Sequence, residues 1–218
     1  MRVLIACEES QSITIEFRKL GHEAFSCDII DCSGGHPEWH IKADALKVAY
    51  AGGWDLMIAH PPCTYLSLAG NRWFKPEYKD RFPNRLLHRK QALDFFMALY
   101  HAPIDHVAIE NPIGAICTYF KGADQYIEPC WFGDPARKKT GLWLRGLPHL
   151  IPTEVVDPII YKYKNGKGDS PWHIETLRLP TDERRKVRSK TFKGIARAMA
   201  TQWGCPQALI GKQLNMWQ

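Results

Sequence analysis

Two short segments of this chain carry residue types that can do covalent chemistry together. In the first, Asp55 to Gly70, the apolar run Leu56-Met57-Ile58-Ala59 ends in His60, Pro61 and Pro62, and Cys63 follows at once. The run reads as a buried strand, and the prolines fix the backbone just past its C-terminal end. In open α/β sheets that edge binds ligands. A thiol held there by a rigid turn is placed like a nucleophile. The same residues also describe a turn with a buried unpaired cysteine. His60 is either an electrostatic support that lowers the Cys63 pKa or a packed imidazole. In the second segment, His106-Val-Ala-Ile-Glu110-Asn111-Pro112, an apolar strand ends in a carboxylate, an amide and a proline. On neighbouring strand ends the two segments would offer a thiol and a carboxylate to one substrate.

That pair matches the chemistry of cytosine C5 methylation. Ring carbon C5 is a poor nucleophile. A thiolate adding at C6 makes the ring enamine-like and able to attack a methyl donor. A carboxylic acid at N3 stabilises the charge that develops. Here the chain resembles the DNA cytosine-C5 methyltransferase family. Pro61-Pro62-Cys63, then three residues, Ser67, and Ala69-Gly70 are similar to its nucleophile motif. Glu110-Asn111-Pro112 resembles its Glu-Asn-Val motif, with Pro in place of Val. Small stand-alone members from phages and prophages carry three further matches. These are Cys7-Glu8-Glu9-Ser10, His60 to Leu66, and Ala198-Met199-Ala200-Thr201-Gln202-Trp203-Gly204. The likeness runs from about residue 2 to 204.

The resemblance implies a Rossmann-like, doubly wound, mostly parallel sheet of the S-adenosylmethionine-dependent methyltransferase kind, without a full target-recognition domain. It implies Cys63 and Glu110 as catalytic residues, S-adenosylmethionine as cofactor and DNA as partner. On the cofactor side it points to Asp28, near the end of the second strand, for the ribose hydroxyls, and to Asp44 for the adenine amino group. Without the family, Asp28 reads as a strand-end cap and Asp44 as a helix N-cap. Glu8, Glu9 and Ser10 are candidates for the methionine end, because Cys7 to Ser12 stands where other members have a glycine-rich loop. Pro61 and Gly194 complete the cofactor set, Gly194 through the closing element Thr191-Phe192-Lys193-Gly194. On the substrate side stand Ser67, Asn111, Lys139 and Thr140, the last two within Arg137-Lys138-Lys139-Thr140.

The elements that must position these residues alternate. Strands are expected at about 2–7, 24–30, 55–59 and 106–110, and β-rich pieces at 126–132 and 140–144. Helices are expected at about 10–20, 86–100 and 193–203. The middle helix is read from Leu86, Leu87, Leu93, Phe96 and Tyr100. Such alternation argues for a doubly wound α/β sheet. The 218 residues suffice for one catalytic domain, 1–218, with a basic insert at about 150–190.

Hydrophobic content of 45% and charged content of 24% are ordinary for a globular protein. No apolar run is long enough to span a bilayer, and the start lacks a signal-peptide layout. Seven scattered cysteines then suit reduced thiols in a cytoplasm, bacterial or phage-infected. No obligate protein partner is evident, and no membrane partner is expected.

Residues 161–190 hold nine Lys/Arg against four acids, so they carry five of the chain's six net positive charges. Tyr161, Tyr163 and Trp172 are interleaved with them, which suits phosphate contacts and base stacking. Arg184, Arg185 and Lys186 are the densest run. The alternative is a flexible, solvated loop, broken at Gly166-Lys-Gly168 and Ser170-Pro171. Cys27, Cys32, His36 and His40 have a zinc-like spacing, but a wandering loop fits Gly34-Gly35 and Pro37 equally well, and no metal is assigned. Two other functions compete. An amino-methyltransferase needs Asp, Asn or Ser before the prolines and an aromatic ring after them; His60 and Cys63 disfavour it. A catalytically inactive or differently specific nucleic-acid-binding protein on the same scaffold is opposed by the presence of both Cys63 and Glu110.

Overall fold

The computed structural model describes residues 1–163, 166 and 168–205. Its centre is a seven-stranded sheet. In chain order the elements are β1 (Arg2–Ala6), α1 (Ser12–Lys19), β2 (Glu23–Asp28), β3 (His40–Lys42), α2 (Ala45–Tyr50), β4 (Leu56–Ala59), α3 (Arg85–Tyr100) and β5 (His106–Pro112). Then come α4 (Ala115–Tyr119), β6 (Gln125–Ile127), β7 (Thr140–Arg145), β8 (Tyr161–Lys162), β9 (Gly168–Asp169), α5 (Pro171–Leu177), α6 (Thr181–Ser189) and α7 (Lys193–Trp203). The strand order is β3-β2-β1-β4-β5-β7-β6. The first five strands are mutually parallel, and β7 runs antiparallel to both of its neighbours.

Side-chain alternation along the strands builds two cores. Val3 and Ile5 of β1, Leu56 and Ile58 of β4, Ala108 of β5 and Leu142 of β7 face α1 and α7, where Ile13, Phe17, Met199 and Trp203 close over them. The intervening Leu4, Ala6, Met57, Ala59, Val107, Ile109 and Trp143 face the other way, toward Ala49, Phe96, Leu99 and Ile116. A parallel sheet covered on both faces needs such near-continuous apolar strands. The α/β expectation is met, in a form compatible with a Rossmann-like sheet. No described helix is long and apolar enough to cross a membrane.

Several local expectations are corrected. The second strand stops at Asp28, and Ile29 is exposed beyond it. Strand β3 and helix α2 were not foreseen; both are short, three and six residues, and leave little periodicity to read. The stretch 126–132 is a short strand followed by a 3₁₀ turn at Pro129–Trp131. Helix α3 buries Phe96 and Leu99, whereas Leu86 and Leu87 are exposed, 73% and 53%. Its first turns carry the arginines that hold the loop after β4, so its apolar face begins later. The basic segment folds into the β8–β9 hairpin, α5 and α6 rather than an open loop. Its Lys164 and Lys167, with Asn165, lie outside the described residues.

The loop after β4 is laid against the chain after β5. Ala115 N donates to Leu66 O at 2.7 Å, Leu68 N to Ile113 O at 3.1 Å, and Ser67 bridges Gly114. A Cβ on Gly114 would stand 1.8 Å from Leu66 O. Gly114→Ala must therefore push the two loops apart and is expected to destabilise the fold by about 1–3 kcal/mol, the usual range for overpacking. Urea unfolding measures this; a change below about 0.5 kcal/mol, as for a neutral surface substitution, would contradict the close approach.

Candidate active site

Strand order reverses between β1 and β4, so the crevice for ligands lies beyond their C-terminal ends. The chain leaves β1 through a strained turn. Cys7 and Gln11 both take left-handed backbone, φ 58° each, which non-glycine residues rarely adopt. Two interactions hold the turn. The Glu8 carboxyl accepts from Ile13 N at 2.7 Å, Thr14 N at 3.3 Å and the Thr14 hydroxyl at 2.7 Å. The buried Gln11 amide bonds His36 N and O. A carboxyl therefore already fills the N-terminus of α1, where dinucleotide folds seat a pyrophosphate. Burial pushes the Glu8 carboxyl up, against the lowering pull of His60 and these donors.

Beside this turn opens a cavity of about 490 Å³. Cys7, Asp28 and Asp44 line it together with Ile29, Ala45 and Phe95, and Pro62, Thr64 and Tyr65 form its wall on the β4 side. Burial, and then the charges of Asp28, Cys27 and Asp44, push the Cys7 thiol far up. The cavity is thus apolar with two carboxylates. Asp44 also caps α2, its side chain accepting from Leu46 N at 2.9 Å, so both readings of that residue hold geometrically. Among the expected cofactor residues, Glu8, Glu9, Ser10, Pro61 and Gly194 are not in the lining. Ser10 bonds the Ser12 hydroxyl at 3.0 Å. Gly194 N donates to Asp134 Oδ2 at 2.9 Å, and a Cβ there would meet Phe132 O at 1.7 Å. That glycine is required by packing. Both carboxylate oxygens of Glu9 are buried without a protein partner.

The loop that carries Cys63 is fixed from three sides. Asn111 Nδ2, fully buried, donates to Pro61 O at 2.7 Å and ties β5 to the double proline. Leu66 N and Ser67 N both donate to Cys63 O, closing a tight turn. From α3, Arg85 reaches Thr64 O and Gly70 O, and Arg89 reaches Tyr65 O at 3.0 Å while lying 3.5 Å over the Phe74 ring. Their spacing of four residues puts both guanidinium groups on one helix face, a signal present in the sequence but not used.

Cys63 remains exposed between Pro62 and Thr64. It lies within electrostatic reach of Glu110 and Lys138 and is not part of the cavity lining. His60 Nδ1 is 3.0 Å from Glu110 Oε2, so its contact is with the carboxylate rather than the thiol. The Thr140 hydroxyl is within reach of the same carboxylate and of Lys138 O, at 3.0 Å. Burial alone would push Glu110 up; the His60 bond, the Lys138 charge and the Thr140 hydroxyl outweigh it and hold the carboxyl below its ordinary value. The Cys63 thiol moves the other way. Desolvation and the Glu110 charge raise it, with Lys138 in partial opposition.

Lys138 is the residue that sequence reasoning missed. Its neighbour Lys139 points instead at the Tyr126 ring, 4.9 Å from the centroid. Lys138 lines a small cleft with Glu110, Thr140, Thr191 and Phe192, and its Nζ donates to Arg188 O at 3.0 Å. The basic helices are thereby joined to the carboxylate. Arg188 Nε bonds the Thr176 hydroxyl and Arg184 bonds Leu179 O, which leaves Arg185 and Lys186 exposed on α6. A second basic stretch, unremarked in the sequence, follows Cys63 directly: Arg72, Lys75, Lys79, Arg81, Arg85, Arg89 and Lys90, against Glu77 and Asp80. The residues with zinc-like spacing are engaged separately. Cys27 donates to Ala43 O, His40 Nδ1 meets Ser26 Oγ, and His36 stacks on Trp39. Among the described residues, no group of three or more His, Cys, Asp or Glu is placed to hold a metal ion.

No protein-family model matches this chain, and no curated protein sequence matches it significantly.

The electrostatics predict how Cys63 reacts. With its thiol held above the ordinary value of 9.0, iodoacetamide alkylation should be slow at pH 7 and climb beyond pH 9. Glu110→Gln removes a raising charge and should speed alkylation at pH 8 several-fold, whereas Lys138→Ala should slow it. Peptide mass spectrometry follows the label. Equal rates in all three proteins would show that Glu110 and Lys138 do not act on the thiol.

Proposed function

We propose that this chain transfers a methyl group from S-adenosylmethionine to C5 of cytosine in DNA, through a covalent bond between Cys63 and the base. The observation that carries the reading is a single stretch of loop serving two compartments. Pro62 and Thr64 line the 490 Å³ cavity, while Cys63 between them couples to Glu110 and Lys138, which line a separate cleft. A C5 transfer requires the donor's methyl group to reach C5 directly beside the C6 that the thiol bonds, so a thiol at the junction of the two linings stands where donor and base can meet.

The residues present fit the cofactor. Its adenosine carries ribose hydroxyls and an amino group, which Asp28 and Asp44 can accept from. Its sulfonium is cationic, and the lining carboxylates favour positive charge. It has no phosphate, and Glu8 already occupies the helix N-terminus where a phosphate would sit. Glu9, whose carboxyl oxygens are buried without a protein partner, lies outside the lining and is the acid of that turn not already engaged. The volume lies within the usual range for small-molecule sites, about 300–1,000 Å³. Bound there, the cofactor would supply an electrophilic methyl group.

The chain's own groups do the rest. Cys63 forms a bond to ring C6 as a thiolate, opposed at rest by the Glu110 charge and aided by Lys138. Glu110 engages the ring at N3, where electron density gathers during addition, so its interaction strengthens toward the transition state. Thr140 and Lys138 hold the Glu110 carboxyl in place. Asn111 and Ser67 act on the substrate side through the loop they brace. The base must leave the duplex to reach Cys63. Arg184, Arg185 and Lys186 on α6, and the basic stretch after Cys63, are the surfaces offered to the phosphates.

Nucleoside mass spectrometry of DNA incubated with the protein and S-adenosylmethionine tests the reading. 5-Methyldeoxycytidine is expected with the native chain and none with Cys63→Ala. Asp28→Ala should weaken cofactor binding about tenfold or more by calorimetry, as loss of a charged hydrogen bond does. A product methylated on the exocyclic amine, or full activity in Cys63→Ala, would overturn it.

A further inference from the structure

The reading above needs an acid at N3, yet the structure surrounds Glu110 with groups that keep it ionised. Three of them are donors or cations: His60, Lys138 and Thr140. A carboxylate in that setting cannot itself bring a proton to the ring. The proton must come from a neighbour that touches it and can carry one. Thr140 cannot, because a hydroxyl does not release its proton in this range. Among the described residues Lys138 forms no ion pair or hydrogen bond with Glu110; its Nζ donates to Arg188 O at 3.0 Å. His60 is in direct contact, Nδ1 to Oε2 at 3.0 Å, with only 9% of its side chain exposed.

The imidazole is also held as a carrier would be. Its backbone N donates to Ala6 O at 3.0 Å, and Pro61 follows it, so the ring's origin is rigid. Its other nitrogen, Nε2, is buried with no protein partner. A histidine kept only for structure normally satisfies both nitrogens. The charged and titratable groups facing it from the packed elements are Glu110 on β5 and Glu8 on the β1–α1 turn, with Lys138 and Cys63 beyond the Glu110 carboxylate. Two carboxyls flank the ring.

Resting on the C5-transfer reading, we propose that His60 is a positioning residue that loads Glu110 with the proton the acid step uses. The Nδ1–H bond breaks and an Oε2–H bond forms, leaving neutral imidazole and a neutral carboxyl. As sulfur bonds C6, an electron pair moves to N3 and takes that proton, and Glu110 returns to carboxylate. After methyl transfer C5 holds both its hydrogen and the methyl group; solvent water takes the C5 proton, the C5–H electron pair re-forms the ring double bond, and the Cys63–C6 bond breaks as the thiolate departs. N3 gives its proton back to Glu110, and Glu110 returns it to His60. The one net proton, released from C5, balances the positive charge lost from the methyl donor, and no oxidant or reductant is needed. Between turnovers the Nδ1–H bond fixes the orientation of the carboxylate.

His60→Asn separates the two roles, because its amide N–H can donate near the Nδ1 position but cannot carry a proton. Single-turnover methyl transfer should fall about 10²-fold or more, the range for loss of a proton-transferring group. Oligonucleotide binding should stay within about twofold of wild type. The native rate is expected to fall as pH rises and His60 loses its proton, and that fall should be absent in the variant. A native-like rate and pH profile in His60→Asn would overturn the inference. A substrate-free arm uses ¹⁵N NMR of the His60 ring. In the Glu110→Gln protein the ring should lose its proton at lower pH than in wild type; an unchanged ring titration also overturns the inference. That arm does not depend on methyl transfer. Absence of transfer by the native protein instead defeats the functional reading, which makes the two failures distinguishable.

Discussion

One buried hydrogen bond holds the site together. Asn111 Nδ2 donates to Pro61 O at 2.7 Å, and across it β5 and the end of β4 are locked in one register. Asn111 follows Glu110 directly, and Pro61 stands two residues before Cys63. The bond therefore sets how far the carboxylate stands from the thiol. It is shielded from water, where such a bond keeps its strength and a lost partner costs about 1–3 kcal/mol. The double proline needs an anchor of this kind, because neither proline has an N–H to donate. Once Pro61 is tied down, the carbonyls of Thr64, Tyr65 and Gly70 fall within reach of Arg85 and Arg89, and Leu66 meets the chain after β5.

The second organising feature is a division of charge across that loop. On the α2–α3 side, Asp28 and Asp44 make the cavity acidic, and desolvation keeps Cys7 a neutral thiol. On the α7 side, a carboxylate is balanced by Lys138 and bonded to His60. Cys63 lies between, raised at rest by the nearer carboxylate. Removal of the Glu110 charge would relieve that effect and make the thiol more acidic. Lys138 extends the coupling outward, since its Nζ rests on the last turn of α6. A ligand that displaces α6 would alter the charge next to Glu110.

Much of this was legible in the residues. Apolar runs ending in Pro-Pro-Cys and Glu-Asn-Pro correctly marked two adjacent parallel strand ends, because a buried parallel strand must be apolar and must stop where the backbone is forced to turn. Asp28 and Asp44 reached one cavity because each ends or follows a strand on the same edge. Pairwise geometry was not legible. That His60 turns to Glu110 rather than Cys63 depends on a side-chain rotamer. Lys138 and Lys139 differ by one residue in a short segment before β7, and alternation alone sends one to the carboxylate and the other to Tyr126. The glycine-poor turn after β1 offered Glu8, Glu9 and Ser10 as cofactor contacts; Glu8 and Gln11 instead hold the turn with buried hydrogen bonds. Leu86 and Leu87 misled because helical spacing does not reveal where a helix overhangs the sheet.

The proposal turns on Cys63 bonding the base at C6 while the donor, held in the cavity that Pro62 and Thr64 line, meets the adjacent C5. A duplex carrying 5-fluorodeoxycytidine tests it most directly, because fluorine at C5 cannot leave as a proton and the Cys63–C6 bond persists. The native chain, the duplex and S-adenosylmethionine should give a denaturant-resistant complex. Peptide mass spectrometry should place the modified base on Cys63, with one methyl group and one fluorine on it. A cross-link on another residue, or none despite methylation of ordinary DNA, would contradict the account.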